Sequence, residues 1–208
     1  LSHYILPQIL AKFHLSFPSI NLKVLHGNSG QIEELLLDKT IDLGVVEGLS
    51  DNPSMKYEIF LKDEVVLVTR KGNPKIAEKD VFTHKQLLNF EYVLREEGSG
   101  TNEVIRKAVL AAGIDWHALY VKVYLASTES IKNFLMTTNC FSFLSIHAIS
   151  KELQSGELQV VEVNNLTMKR YFYFVRPHGV IGHLPEAFRR FAYQKFVKNE
   201  QFHFDNEL

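Results

Sequence analysis

Cysteine is almost absent from this chain. A single thiol, Cys140, cannot close an intrachain disulfide and has no second cysteine with which to build a thiolate metal site, so a disulfide-dense secreted scaffold is excluded and a reducing cytosol fits best. An excess of charge of one sign is also missing. Lys+Arg 23 against Asp+Glu 24 gives a formal net charge of -1, whereas a chain built to coat nucleic acid needs a clear basic surplus on one face. No apolar run approaches the roughly 18 residues of a membrane span, which points away from a membrane protein. The opening Leu1-Ser2-His3-Tyr4 lacks a basic stretch followed by an apolar one, so no secretory leader is expected, although a processed secreted protein would lack one as well. Catalytic signatures are missing too: there is no GxSxG elbow, no phosphate loop ending in Gly-Lys-Ser/Thr, no HExxH and no GxGxxG, which counts against an enzyme. The 9 histidines are scattered, and the closest pair, His178 and His183, has no neighbouring cysteine, so neither a metal nor another cofactor is expected.

What is present is an ordinary globular composition, 46% hydrophobic and 23% charged over 208 residues, long enough for one large domain or two lobes with substantial cores. Ile5, Leu6, Ile9, Leu10, Phe13 and Phe17 recur at helical spacing before Pro18, which predicts an amphipathic helix. Ile20, Leu22 and Val24 alternate and predict a strand, followed by the turn Gly27-Asn28-Ser29-Gly30 and a helix carrying Ile32, Leu35 and Leu36. A strand through Ile41, Leu43, Val45 and Val46 ends at Glu47-Gly48. Alternation from Met55 to Leu61 then leads into the continuous run Val65 to Val68, expected to be buried on both faces. Lys71-Gly72-Asn73-Pro74 is the clearest break and predicts a lobe boundary.

Beyond that break the same grammar repeats. Tyr92-Val93-Leu94 is followed by the turn Gly98-Ser99-Gly100-Thr101 and a helix with Val104, Ile105, Ala108, Val109 and Ala112 that ends at Gly113. Leu119, Val121, Val123 and Leu125 alternate before Ser127-Thr128 and a helix with Ile131, Phe134 and Leu135. Strands follow near Phe141–Leu144, Leu158–Val163 and Tyr171–Val175, and a closing helix should bury Leu184, Phe188, Phe191 and Phe196. Strands alternating with helices imply an α/β fold with a mostly parallel sheet.

Three junctions place small polar groups between the end of a strand and the start of a helix: Asn28-Ser29-Gly30, Ser99-Gly100-Thr101 and Ser127-Thr128. In open α/β sheets ligands lie at that edge, and the backbone N–H groups of a helix start favour negative charge. Each junction is equally a helix cap, because Ser, Thr and Asn are the commonest capping residues. Glu96 and Glu97 would repel an anion at Ser99 unless they point outward. Glu47 either accepts from a ligand or caps an exposed strand end. Arg189, Arg190, Lys195 and Lys198 read as a solvated helix face, and Cys140 as an inert core thiol.

The residues that punctuate the chain resemble the effector-binding domain of LysR-type transcriptional regulators over nearly its whole length. The resemblance is carried by Tyr4-Ile5-Leu6-Pro7 before a helix ending at Phe17-Pro18, by Gly27-Asn28-Ser29, and by Ile41-Asp42-Leu43-Gly44-Val45-Val46-Glu47-Gly48. It continues in Arg95-Glu96-Glu97-Gly98-Ser99-Gly100-Thr101, in Ser127-Thr128-Glu129-Ser130-Ile131-Lys132, and in Leu144-Ser145 before Ala148-Ile149. It implies a type 2 periplasmic-binding-protein-like α/β fold, with residues 1–70 and 165–208 in one lobe, 71–164 in the other, and a small effector in the cleft between them.

In such proteins the cleft is lined by residues matching Asn28 and Ser29 on one side and Ser99, Gly100, Thr101 and Thr128 on the other; Ser127 and Glu47 join this candidate set from the residue-level reading. The resemblance further implies head-to-tail pairing into a homodimer or homotetramer, with Ile32, Leu35 and Leu36 of one copy against Ile131 and Leu135 of another. The family's winged helix-turn-helix and the first strand of its effector domain have no counterpart in the sequence, so DNA would be reached only through a domain outside this chain. A bacterial, cytoplasmic regulator that senses a carboxylate or inorganic anion is the expectation. Asn102 stands where many relatives carry Arg, which leaves anion binding to backbone and hydroxyl donors. The alternatives are a periplasmic or extracellular solute-binding protein of a transporter, which shares the fold, and an enzyme acting at Glu47.

Overall fold

A computed structural model describes residues 4–47, 50, 52–76, 81–97, 99–179 and 181–194. Gly48, Gly98, Lys195, Phe196 and Lys198, which figure in the sequence reading, lie outside the described residues. The chain divides into two compact units, one formed by the residues up to Lys62 and from Tyr171 onward, the other by Asp63–Arg170.

The first unit contains helices α1 (Leu6–Ser16) and α2 (Ser29–Leu37), strand β1 (Gly44–Glu47), the opening of β2 (Met55–Arg70), the end of β7 (Met168–Pro177) and helix α7 (His183–Ala192). β1 pairs antiparallel with β7, Val45 opposite Phe174 and Val46 opposite Tyr173. Alternation along these strands serves two cores. Ile5 and Ile9 pack with Phe60, Leu61, Phe172, Phe174 and Ala192 on one side, and Ile32 and Leu36 of α2 pack with Val46, Met55 and Val175 on the other. Phe13 of α1 meets Phe188 and Phe191 of α7 edge-on, with ring centroids 5.1 and 5.3 Å away. Gly44 lets α2 come this close, because a Cβ there would lie 2.6 Å from both Ile32 Cγ2 and Val175 Cγ1.

The second unit contains the rest of β2, α3 (His84–Leu87), β3 (Glu91–Arg95), α4 (Gly100–Ala111), β4 (Tyr120–Leu125), α5 (Thr128–Thr137), β5 (Ser142–Ser145), α6 (Ser150–Ser155), β6 (Leu158–Val160) and the start of β7. β3, α4 and β4 form a parallel crossover, with Val93 opposite Val123 and Leu94 opposite Tyr124. α4 stops as expected, with Gly113 at φ +76° just past its last turn. The core gathers Tyr92, Leu94, Ile105, Val109, Phe141 and Phe143. Phe90 stacks on Phe141 at 3.9 Å between centroids and 7° between planes. Tyr92 donates its hydroxyl to the Leu87 carbonyl at 2.8 Å, and burial raises its pKa.

Several expectations need correction. The segment with Ile20, Leu22 and Val24 forms no strand; Leu22 and Val24 are 40% and 38% exposed. Alternation makes a strand only where a neighbour completes the hydrogen bonds, and among the described residues β1 pairs with β7 rather than with this segment. The sheet is not mostly parallel, because β1–β7, β2–β5 and β2–β6 are all antiparallel, while among the described strand pairs β3–β4 is parallel, joined by the helical crossover through α4. The apolar pieces on either side of Asp63 form one strand of 16 residues that passes from the first unit into the second. The turn Lys71–Pro74 therefore falls inside the second unit and not at its border. There Asn73 ties it down, donating to Thr69 Oγ1 at 2.6 Å and to the Asn139 carbonyl at 3.0 Å. Leu184 is 59% exposed, since Phe188 and Ala192 already fill the inner face of α7.

Replacing Gly44 by Ala should push α2 off its strand and lower stability by about 1–3 kcal/mol, read as a drop in the urea midpoint. An unchanged midpoint would show that Ile32 and Val175 yield without cost.

Candidate functional site

The start of α4 differs chemically from the other helix starts. β3 runs out at Arg95, Ser99 takes an extended conformation (φ -67°, ψ 129°) as N-cap, and the helix begins at Gly100. Ser99, Thr101 and Asn102 are buried while Gly100 is exposed. The Ser99 side chain makes no capping hydrogen bond. Asn102 turns its amide inward to donate to the Glu96 carbonyl at 3.2 Å and to the Arg95 carbonyl, which fixes the 95–96 backbone under the first helical turn. Its buried Oδ1 has no hydrogen-bond partner among the described residues. The feared repulsion from Glu96 is met by Arg95, whose Nε and Nη2 donate to the carboxylate at 2.7 and 2.8 Å. Burial alone would raise the Glu96 pKa, but these bonds outweigh it and hold the carboxyl below its usual value.

Behind this helix start lies a buried polar chain drawn from three strands. Arg170 of β7 donates from Nη1 to Thr101 Oγ1 at 3.1 Å and from Nε to Asp63 Oδ2 at 2.6 Å. Ser145, the last residue of β5, donates its hydroxyl to the other Asp63 oxygen at 2.7 Å. Asp63 is 2% exposed and Arg170 7%, so the two buried charges help to compensate each other's lost hydration.

The other two junctions behave as caps. Ser127 Oγ accepts from the Ser130 amide at 3.1 Å and shares a hydrogen bond with Ser130 Oγ at 2.8 Å, while Thr128 beside it is half-buried. Asn28 Oδ1 accepts from the Gln31 amide at 3.0 Å, and Gln31 Oε1 accepts from the Asn28 amide at 2.9 Å, a reciprocal capping box. Ser29 and Glu47 are both half-buried, Glu47 at the end of β1. Ser99, Gly100, Thr101, Ser127 and Thr128 all belong to the second unit, and Asn28, Ser29 and Glu47 to the first.

The residues expected to pair two copies of the chain mostly face inward. Ile32 and Leu36 are buried against Val46 and Val175, Leu35 is half-buried, and Ile131 and Leu135 are fully enclosed. Their apolar spacing serves each unit's own core, and the apolar side chains these helices leave exposed are Leu37 and Met136.

Sequence reasoning missed Asp63, Ser145 and Arg170, and it also missed a buried carboxylate in α2. Glu33 Oε1 accepts from Tyr57 and Ser50 hydroxyls at 2.6 and 2.7 Å, and Oε2 accepts from Asn52 Nδ2 at 2.9 Å, which pins the segment after β1. One signal for the first cluster was available. Asp63 lies at even spacing from Leu61 and Val65, and Arg170 from Met168 and Phe172, so opposite charges occupy core-facing positions of two strands. Among the described residues no three His, Cys, Asp or Glu side chains cluster to hold a metal ion, and no helix is long and apolar enough to cross a membrane.

This α/β architecture, with long strands shared by two units, is the type 2 periplasmic-binding-protein-like fold of regulatory effector domains. The regulatory domain of CcmR from Synechocystis PCC6803 in complex with 2-PG superimposes with a TM-score of 0.80 at 24% identity, covering 91% of this chain and 89% of that one. The effector-binding domain of QuiR in complex with shikimate gives 0.77 at 18% identity, covering 94% and 92%. The chain belongs to the LysR substrate binding domain family, whose model matches residues 1–196. It is 30% identical over 191 residues to the HTH-type transcriptional regulator YeiE of Escherichia coli (strain K12), covering 92% of this chain and 63% of YeiE. It is 26% identical over 175 residues to the HTH-type transcriptional regulator CysL of Bacillus subtilis (strain 168), covering 84% of this chain and 57% of CysL. The chain thus spans about three fifths of these relatives, which are transcriptional regulators, a family without enzymatic activity.

Two consequences can be measured. Ser127→Ala removes a working cap and should cost about 1 kcal/mol of stability, seen as a lower melting temperature. Burial raises the Glu33 pKa, but the donors Tyr57, Asn52 and Ser50 together bring it below the ordinary value. Its contribution is therefore complete above the unfolded pKa of about 4.3 and is lost as the pH falls through the folded value. Glu33→Gln should be destabilising at pH 7, with the gap to the unaltered chain narrowing below about pH 4; a gap independent of pH would remove the charge from the account.

Proposed function

We propose that this chain is the effector-sensing part of a LysR-type transcriptional regulator, and that it binds a small anionic metabolite, a carboxylate or an inorganic anion, at the start of α4. The observation that carries this reading is the Thr101 hydroxyl, which is the second residue of a helix and accepts a hydrogen bond from a buried guanidinium. The Ser99 hydroxyl beside it is not spent on capping. Backbone N–H groups at a helix start favour an anion by roughly 0.3–1 kcal/mol each, and more when partly buried. Ser127 and Thr128 of the same unit, and Asn28, Ser29 and Glu47 of the other, are proposed as further effector contacts. Family membership supports effector sensing, and the solved domains of CcmR and QuiR are complexes with small ligands.

Regulation follows from differential affinity. An effector shifts an equilibrium between two arrangements of such a domain only by as much as it prefers one of them. A Kd between about 1 mM and 1 μM corresponds to roughly 4–8 kcal/mol of binding free energy. Transcriptional control would be exerted through a helix-turn-helix domain like those named in its relatives, in the cytoplasm, with copies of the chain associated as a homodimer or homotetramer.

A thermal-shift screen of small carboxylates, sulfate, phosphate and amino acids should yield a concentration-dependent stabilisation. Calorimetry with the hit should then show Ser99→Ala and Thr101→Ala each weakening binding by about 1–2 kcal/mol. Undiminished affinity in both variants would remove the start of α4 from the site.

A further inference from the structure

We propose that the second unit carries a further ligand site, a cavity beside β2 that takes a small primary amine with an apolar body, bound as its ammonium ion. The cavity shares no lining residue with the candidate site at the start of α4, and the inference stands without the reading of that helix.

The cavity arises where two neighbouring stretches of chain part. β6 pairs antiparallel with β2, Val68 opposite Val160, and one further bond runs from the Val161 amide to the Leu67 carbonyl at 2.8 Å. The chain then leaves β2 for Phe82. The Phe82 amide donates to the Glu162 carbonyl at 2.8 Å, and the Asn164 amide donates to the Phe82 carbonyl at 2.9 Å. At Asn165 the chain turns, with φ at +54° in the left-handed region that asparagine enters more readily than most residues, and it returns beside β2 as β7 from Met168. This excursion leaves a cavity of about 330 Å³ against β2.

Its floor is the edge of the second unit's core, where Leu67, Phe143, Val161 and Met168 are all buried. Val81 and Val160 at the rim are 54% and 40% exposed, so apolar surface there is left for a ligand to cover. The polar side chains of the described lining are two carboxylates, Glu64 and Glu162, and two amides, Asn164 and Asn165, with no Lys, Arg or His among them. None of these four side chains has an ion-pair or hydrogen-bond partner in the protein. An ionised carboxylate only accepts, whereas an ammonium group offers three donors and a single positive charge. An anion in the same place would meet two like charges and lose its hydration. Glu64 is half-buried and Glu162 exposed, so the charge contact alone is worth little. The greater part of the binding comes from the apolar body on the floor. Ligand cavities run from about 300 to 1,000 Å³, and a space at the lower end suits a body of about six to eight carbon atoms.

Hexylammonium, hexanol and hexanoate share one apolar body and differ in head-group charge, and each is titrated calorimetrically into the 208-residue chain. Hexylammonium is expected to bind and to raise the melting temperature with concentration, hexanol to bind about fivefold more weakly, and hexanoate not to bind. Glu64→Gln with Glu162→Gln should bring hexylammonium down to the affinity of hexanol and leave hexanol within about twofold, and added salt should narrow the same gap. Where circular dichroism shows the double variant unfolded, Glu162→Gln alone, at an exposed position, should still cost the amine about twofold. Val160→Trp, which adds bulk at the exposed rim, should weaken hexylammonium and hexanol alike, and Ser99→Ala should change neither. Four results would overturn the site: no binding of hexylammonium to the unaltered chain, undiminished affinity in the folded glutamine variants, hexanol or hexanoate binding as tightly as the amine, or a loss of amine binding in Ser99→Ala, which would place the amine at α4.

Discussion

Two strands that each serve two cores impose the constraint on which the rest of this structure depends. β2 contributes Phe60 and Leu61 to the first unit, then Val65 and Leu67 to the second, and β7 returns with Met168 in the second and Phe172 and Phe174 in the first. Side chains alternate with a period of two, so a slip by one residue in β7 would turn Met168, Phe172 and Phe174 to the wrong face in both cores at once. At the changeover the chain places Asp63 and Arg170, buried and bonded at 2.6 Å. A buried ion pair contributes little net stability compared with apolar residues of the same shape, and breaking it costs about 3–5 kcal/mol. The pair ties β2 to β7 where both strands pass from one unit to the other.

The helix starts show how the same residue types do different work. Asn28 and Ser127 spend their side chains on the backbone amides of Gln31 and Ser130, so their polarity is consumed locally. Ser99 does not cap, and Thr101 is engaged from behind by Arg170. A count of polar residues at strand–helix junctions makes the three sites equivalent, and only the partner of each hydrogen bond separates them.

Much of the fold was legible in sequence periodicity. Helices α1, α2, α4, α5 and α7 and the parallel β3–α4–β4 unit lie where apolar spacing, caps and Gly113 put them. The missing strand shows where local pattern ends. The alternation of Ile20, Leu22 and Val24 is real, but a strand is defined by its neighbour, and spacing says nothing about who the neighbour is. The candidate Thr101 was reachable from residue type, but Arg170, distant in sequence, was not, since its relevance arises only when β7 passes behind α4. Within each strand, a lone charge at a core-facing position is the local trace of such a pairing.

A net charge of -1 says little about the buried charges behind the start of α4. Interaction between charges weakens with distance and with the dielectric around them, so surface carboxylates and ammonium groups a Debye length away are largely screened. The groups that count are near and buried. Glu96 is paired with Arg95, and Arg170 bonds both Asp63 and Thr101. The order in which these charges are bonded is set by the fold, and composition carries no record of that order.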